Sequence, residues 1–467
     1  MMESSGTMME RSKFTRDGAS AIAPVTVYRL CNILGFKTAE TADARATGDE
    51  MNGQTFETAS PLSIASIVIS MTIAAIGSGI MSAYVPFVLT QTGDAWAASA
   101  AVPALAFGGL VGCLVGGPLI RRVGHARLFS CSMAMVIIAA VLIATNPPPI
   151  WWVLARGVYG AASNVNFIIA QSWLNHAASN EWRGRAMSFF YMAFVLGLGA
   201  GAWLFGRIPT DGNLAPLAVV FVTALAILPI GLTRLPNPPA PANVNVDIKM
   251  AWRISPVGLI GVLASGGLSM VIQGFVPIYA TTSHVAQTDV ALLMLVMQTG
   301  LLFVQYPLGM LSDRIDRRFV LLITCALIVA AGTAALFVSF SMMILLMIVF
   351  LVFGGAVETV YSVANAHAND RADPGDFVPL SSTLLVAWST AATIVPLGVT
   401  LLTPAFGQHT FIYAVILVAI AYAGYVIWRL KEREGVPADE RENCGVRSAQ
   451  FPNASVMTDP EAEIPAQ

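Results

Sequence analysis

From residue 62 onward the chain alternates long apolar runs with short polar breaks. The runs fall near 64–90, 96–120, 127–146, 150–178, 186–207 and 214–233, and then near 254–281, 287–312, 318–339, 341–367, 377–403 and 408–430. About 20 apolar residues suffice to cross the hydrocarbon core of a bilayer as a helix rising 1.5 Å per residue. Twelve runs of that length predict twelve membrane spans. Before them, 1–59 carries no sustained apolar run. Its one greasy patch, 19–36, is broken by Pro24, Arg29 and Asn32 and makes neither a span nor a signal peptide. That segment reads as a disordered cytoplasmic tail, with Met51 a candidate alternative start. Between spans six and seven, 235–249 reads L-P-N-P-P-A-P-A-N-V-N-V-D-I-K, a Pro-rich semi-rigid linker. The expected domains are a tail (1–59), a six-helix bundle (60–234), a cytoplasmic linker (235–252), a second six-helix bundle (253–430) and a disordered cytoplasmic tail (431–467).

Composition sharpens this picture. Of 467 residues 56% are hydrophobic and 11% charged, with a mean hydropathy of +0.70. A soluble domain carries about 25% charged residues, so this chain cannot cover a water-facing surface. The net charge of −2 says little; the placement of charge says more. With the N-terminus inside, the breaks on the cytoplasmic side and the two tails collect 23 of the 25 basic residues, leaving Arg207 outside and Arg156 within a span. Both termini are therefore expected in the cytoplasm. Five scattered cysteines without C-x-x-C suggest neither a disulfide framework nor a zinc site. The five histidines lack metal-ligand spacing, and no Gly-rich phosphate loop is present. No enzyme activity, cofactor, metal or nucleic-acid partner is expected.

A short charged clip occurs twice. Residues 309–318 read G-M-L-S-D-R-I-D-R-R, and 117–127 read G-P-L-I-R-R-V-G-H-A-R, with Gly117 and Gly309 192 positions apart. In spans four and ten, Gly160-Ala161 matches Gly355-Ala356 at an offset of 195. Two parallel six-span repeats predict an all-α integral membrane protein whose halves surround a central cavity, the arrangement of transporters with a midplane site. These residues resemble the major facilitator superfamily, over about 62–430. Gly309, Leu311, Asp313, Arg314, Arg317 and Arg318 match that family's G-x-L-x-D-R-x-G-R-R clip, with Asp316 in place of the glycine. The first copy keeps Gly117, Leu119, Arg122 and Gly124 but has Arg121 where the acid stands. Arg156, Gly160, Ala161 and Ala162 are similar to the family's R-x-x-Q-G-x-x-A-A run, with Tyr159 replacing the glutamine. More narrowly, R-R-V-G-H-A-R (121–127), Q-S-W-L-N (171–175), P-I-Y-A-T (277–281) and A-N-A-H-A-N-D-R (364–371) resemble the bacterial YcaD-like branch, which usually has an acid where Gln171 stands.

Ionisable groups inside spans are costly in lipid and are functional candidates by default. Arg156 lies about six residues into span four, roughly 9 Å below the outer surface, on one stripe with Gly160, Ser163, Phe167 and Gln171. The resemblance implies that this stripe faces the cavity; the alternative is an arginine that snorkels outward or bonds a neighbouring helix's carbonyls. Glu358 is the carboxylate deep in a span, on a stripe with Gly354, Tyr361 and Asn365. It either loads and unloads a proton as cavity hydration alternates or is a structural group bonded within the bundle. Glu358 matches a position seven residues deeper than Arg156, about 10 Å along the axis, so no direct bridge between them is expected. Asn164, Asn166, Gln171, Gln273, Gln298, Gln305 and Asn365 either line the cavity or bond between helices, with Gln273 and Gln298 the preferred solute contacts. Pro86, Pro103, Pro277, Pro307 and Pro396 are expected to bend helices. The clips (Gly309, Asp313, Arg314, Arg317 and Arg318; Gly117, Arg121, Arg122 and Gly124) are implied as cytoplasmic latches, so that Asp313→Asn impairs transport without blocking insertion.

The expected function is secondary active transport of a small solute by alternating access, proton-coupled, in the bacterial inner membrane. Partners would be the solute, protons and the bilayer, with oligomeric state open. Gly197 to Gly201 matches a span-five run of the superfamily's antiporters, but Ala202 replaces its proline, which lowers the case for efflux. The alternative is a non-transporting sensor or assembly factor on the same fold.

Overall fold

The structure, a computed structural model, describes residues 61–178, 183–233, 238, 246–373 and 376–432. The tail expected at 1–59, most of the linker, and all but the first two residues of the C-terminal tail lie outside the described residues. Twelve long helices follow one another: α1 (Pro61–Gln91), α2 (Ala95–Val123), α3 (His125–Ala144), α4 (Pro149–Ala177), α5 (Arg183–Phe205) and α6 (Leu214–Gly231), then α7 (Pro256–Thr282), α8 (Gln287–Arg314), α9 (Arg317–Phe337), α10 (Met343–Asn369), α11 (Phe377–Phe406) and α12 (Thr410–Leu430). A short helix, Ile248–Ile254, occupies the end of the expected linker. Among the described residues there is no strand. Eleven of the long helices are apolar enough as well as long enough to cross a membrane. The twelfth, α4, has 29 residues but carries Arg156, Asn164, Asn166, Gln171 and Asn175, which dilute its apolar character.

Local chemistry sets several boundaries. Gly124, at φ 83°, separates α2 from α3, and Gly407, at φ 79°, ends α11; both occupy left-handed backbone that glycine enters without strain. Ser255 caps α7 by accepting from the Gly258 N–H, with Pro256 at the first turn. Asp316 caps α9 by accepting from the Arg318 N–H. Helix α8 is interrupted by a π-helical turn at Leu301–Gln305, immediately before Pro307. Proline there removes an N–H and crowds the preceding turn, and a π-turn accommodates both effects. Pro86, Pro103, Pro277 and Pro396 lie inside their helices, as do Pro118, Pro229 and Pro404.

The two halves pack by the same scheme. In the first half, α1 packs on α5 and α6, α2 on α4, and α3 on α4 and α6; in the second, α7 packs on α11 and α12, α8 on α10, and α9 on α10 and α12. Glycines from the repeat set the closest approaches. A Cβ on Gly108 would sit 1.9 Å from the Gly157 carbonyl oxygen, and one on Gly160 2.0 Å from that of Leu105. Their repeat mates act alike: a Cβ on Gly300 would lie 2.3 Å from the Leu351 oxygen, and one on Gly355 2.4 Å from the Gly300 oxygen. Small residues let membrane helices come this close.

The halves meet through α2 against α11, α5 against α8, and α7 against α1 and α2. Side chains that face outward are large and apolar, including Phe221 at 68% exposed, Leu401 at 70% and Leu417 at 67%. Buried positions hold the polar groups Gln171, Gln305, Ser269 and Thr359. That distribution suits a hydrocarbon surround.

Overpacking the close contacts should destabilise the bundle. Gly108→Val or Gly300→Val is expected to lower unfolding free energy in detergent by about 1–3 kcal/mol or more, whereas Gly424→Val, which meets open space, should be nearly neutral. Equal losses at all three positions would contradict this account.

Candidate functional site

A cavity of about 120 Å³ lies between the halves, walled by α1, α2, α4 and α5 of the first and α7, α8 and α11 of the second. Arg156 is the one charged residue in its lining. Its side chain is buried, at 5% exposure, and its Nη1 has no hydrogen-bond partner. The guanidinium carbon lies 5.5 Å from the centroid of the Tyr159 ring, one turn along α4, within cation–π range. Tyr159 is fixed in turn by a 3.0 Å hydrogen bond between its hydroxyl and Ser78 Oγ of α1.

On the opposite wall Gln298 Nε2 donates to Gln273 Oε1 at 3.1 Å, joining α8 to α7. Asn164 borders the cavity one further turn along α4, against Gly109. Arg156, Asn164, Gln273 and Gln298 are thus brought together. Five other candidates lie outside the cavity wall. Gln171 is fully buried in the first half and donates to the Tyr191 hydroxyl of α5. Tyr361 and Asn365 are joined to each other at 3.3 Å on α10. Asn166 is buried, and Gln305 donates to Ser362 Oγ of α10.

Glu358 sits one helix behind the cavity. Its Oε1 accepts from Ser269 Oγ of α7 at 2.8 Å, and the next residue of α7, Met270, lines the cavity. No ion pair joins Glu358 to Arg156, as their different depths imply. Sequence reasoning did not single out Trp388 of α11, which lines the cavity and whose indole Nε1 has no partner. A usable signal was present: membrane tryptophans concentrate at the interfaces, and Trp388 stands in the middle part of a span.

At one end of the bundle, hydrogen bonds join the two halves. Gln287 Nε2, at the start of α8, donates to the carbonyls of Phe205 at 2.6 Å and Ile208 at 2.8 Å, at the end of α5. Thr400 Oγ1 of α11 donates to the Ser99 carbonyl of α2 at 3.0 Å.

The clips occupy the other end. Arg317 is bound in a fork by Asp370, Nε to Oδ2 at 2.5 Å and Nη2 to Oδ1 at 3.0 Å. Asp313, the acid expected to hold the latch, approaches Arg317 Nη1 at 3.6 Å with 31% of its side chain exposed, against 3% for Asp370. The acid missed in the sequence is therefore the main partner. Arg318 folds back on Asp316, Nη2 to Oδ2 at 2.6 Å, while Arg314 is exposed. Burial pushes the Asp316 carboxyl up, but hydrogen bonds from the Arg318 side chain and backbone, with that arginine's charge, hold it below the usual carboxylate value. In the first clip Gly117 is buried while Arg121, Arg122 and Gly124 are exposed. His125 stands where the 192-residue offset puts the mate of Arg317, and its Nε2 bonds Ser172 Oγ at 2.9 Å.

The family model described as Major Facilitator Superfamily matches the chain over residues 67–256 and again over 257–459. An uncharacterized MFS-type transporter of Enterobacter sp. (strain 638) is 26% identical over 320 residues, 68% of this chain and 82% of that protein. The MFS-type transporter YcaD of Escherichia coli O139:H28 is 25% identical over 319 residues, with the same coverage of 68% and 82%. Among solved structures, a bacterial homolog of the human lysosomal transporter Spinster, in an inward-facing and unoccupied conformation, has a TM-score of 0.62 at 14% identity and covers 81% of this chain and 100% of that one. A D-xylose–proton symporter has a TM-score of 0.58 at 15% identity, covering 77% and 95%. The nucleoside transporter NupG has 0.61 at 11% identity, covering 78% and 100%.

Two outcomes follow from the clip geometry. Asp370→Asn, which strands a buried arginine, should cost about 3–5 kcal/mol of stability in detergent. Asp313→Asn should cost less than about 1 kcal/mol, with its effect on transport rate instead; matching stability losses would refute the ranking. Because the folded carboxyl of Asp316 is depressed, its contribution is complete above the unfolded carboxylate pKa and fades as pH falls through the lower folded value. Asp316→Asn should therefore be less stable than the parent at neutral pH, with the gap narrowing in acid; a gap independent of pH would refute this.

Proposed function

The chain belongs to the Major Facilitator Superfamily, and we propose that it is a secondary active transporter moving a small solute across the bacterial inner membrane by alternating access, coupled to protons. The observation that carries this reading is the cavity between two repeats, mostly apolar but holding Arg156, Asn164, Gln273 and Gln298, with hydrogen bonds joining the halves at one end. A solute held there contacts both halves, so its binding energy depends on how they are rotated. The excess of Lys and Arg in the clips and tails supports a cytoplasmic place for the clip end. On this orientation the hydrogen-bonded end faces outward, and both termini are cytoplasmic.

Glu358 is the coupling candidate. It is a carboxylate buried in a span, bonded to α7, and α7 supplies Met270, Gln273 and Gly274 to the cavity wall. Rotation of the halves that rehydrates this layer would let the proton leave, and a protonated group would favour the opposite rotation. A D-xylose–proton symporter among proteins of similar fold is consistent with such coupling.

Proteoliposomes test the reading with a panel of labelled sugars, nucleosides, amino acids and organic anions under an inward proton gradient. At least one solute should accumulate. Glu358→Gln should abolish gradient-driven accumulation while retaining exchange of labelled for unlabelled solute. Accumulation unchanged in Glu358→Gln removes the proton role, and absence of both accumulation and exchange for every solute removes transport.

A further inference from the structure

Three arginines are buried among the described residues: Arg156, Arg317 and Arg318. Two are matched by carboxylates, Arg317 by Asp370 and Arg318 by Asp316. Arg156 makes no hydrogen bond or ion pair, and its Nη1 is sequestered without a partner. A buried guanidinium without a counter-charge is destabilising, and the face of Tyr159 at 5.5 Å offsets only part of that. Neither reading that would make Arg156 structural holds. It does not snorkel, being 5% exposed, and it does not bond neighbouring carbonyls.

The cavity it borders has a definite chemical character. No carboxylate lines it, so the guanidinium sets its charge. A second donor in the wall, Trp388 Nε1, is likewise buried without a partner. Most of the remaining wall is apolar, with Val85, Val102, Leu105, Leu198 and Met294 among its side chains. The volume of about 120 Å³ is close to that of an engineered cavity of about 150 Å³ that takes up benzene.

We infer that the cavity binds a small organic monoanion with an apolar body, its carboxylate held by Arg156. This deepens the transport reading by naming the substrate class of the same cavity. One unpaired cation suits one negative charge. A dianion would press its second charge against apolar walls, a neutral analogue would leave the guanidinium unmatched, and a cation would be repelled. The Asn164 amide, on the same helix as Arg156, is a further polar group of the wall, while the aliphatic wall takes the acid's ring or chain.

The test uses the full chain in detergent, with benzoate as probe and benzamide, benzylamine and succinate as its neutral, cationic and dianionic counterparts. Ligands that bind the folded state raise its melting temperature by mass action. Benzoate should stabilise the protein and the other three should not. Arg156→Gln should weaken benzoate binding about tenfold to a hundredfold by calorimetry, as expected for losing a hydrogen bond to a charged group. Arg156→Lys, which keeps the charge and guards against a folding defect in the glutamine variant, should retain part of the affinity. Stabilisation by benzamide or benzylamine equal to that by benzoate, unchanged benzoate affinity in Arg156→Gln, or no benzoate response at all would each overturn the inference. Exchange of labelled benzoate in proteoliposomes separates this from the transport reading. Arg156-dependent binding of benzoate, with no exchange of benzoate and neither accumulation nor exchange of any solute in the panel, upholds the anion site and removes transport, whereas exchange of a neutral solute unaffected by Arg156→Gln, with no benzoate response, upholds transport and removes the anion site.

Discussion

Hydrocarbon offers no partner for a hydrogen-bonding group, and this constraint organises the molecule. Backbone polarity is absorbed within helices. Hydroxyls in the spans largely satisfy themselves by donating one turn back, as Thr281 does to Pro277, Thr324 to Val320 and Thr359 to Gly355. Longer polar side chains turn inward and find each other: Gln171 with Tyr191, Gln305 with Ser362, and Ser269 with Glu358. Apolar side chains such as Phe221 and Leu401 are left on the outside. Buried atoms without a partner are found elsewhere too, such as Trp173 Nε1 and Ser382 Oγ, but Arg156 Nη1 and Trp388 Nε1 belong to residues that border a cavity into which a matching group can come from outside the chain.

The repeat shows which features are scaffold and which are chemistry. Gly108 and Gly160 bring α2 and α4 into backbone contact, and their mates Gly300 and Gly355 do the same for α8 and α10. That duplication is geometric: each half needs its second and fourth helices close together. Charges do not follow the repeat. The 195-residue offset puts Leu351 opposite Arg156 and Ser163 opposite Glu358, so the interior cation belongs to one half and the acid to the other. At the clips, the Arg317–Asp370 pair of the second half corresponds to His125 and Asn175 in the first, where a neutral His125–Ser172 contact stands instead.

Much of this was legible in the sequence, for identifiable reasons. Span length is dictated by bilayer thickness, so apolar runs located all twelve helices, with shifts of a few residues at their ends. The clips announced the repeat because charge is rare elsewhere. Helical spacing put Arg156 on a stripe with Gly160 and Ser163 that the resemblance aimed at the cavity, but spacing reports a direction and not what lies opposite. Gln171 shares the stripe of Arg156 and is nonetheless enclosed, because about four turns further along Tyr191 of α5 covers it. Glu358 faces α7 rather than the cavity for the same reason. The pairing of Arg317 with Asp370 joins residues 53 apart in the chain, and the π-turn before Pro307 is a local response to packing; neither is written in any periodicity.

The strengths and locations of the polar contacts bear on how such a molecule moves. Arg317–Asp370 joins α9 to α10, both in the second half, so this buried fork braces one half and does not fasten the halves together. Contacts between halves at the far end are of another kind: Gln287 and Thr400 donate to backbone carbonyls as neutral groups, each worth about 0.5–1.5 kcal/mol net. A buried ion pair is several times more costly to break by removing one partner. The buried ion pair thus lies within a half, while the polar contacts across the boundary are neutral ones beside a shared apolar core. If the halves rotate against one another as proposed, the neutral hydrogen bonds are the polar contacts that exchange, and the clip stays whole within its half.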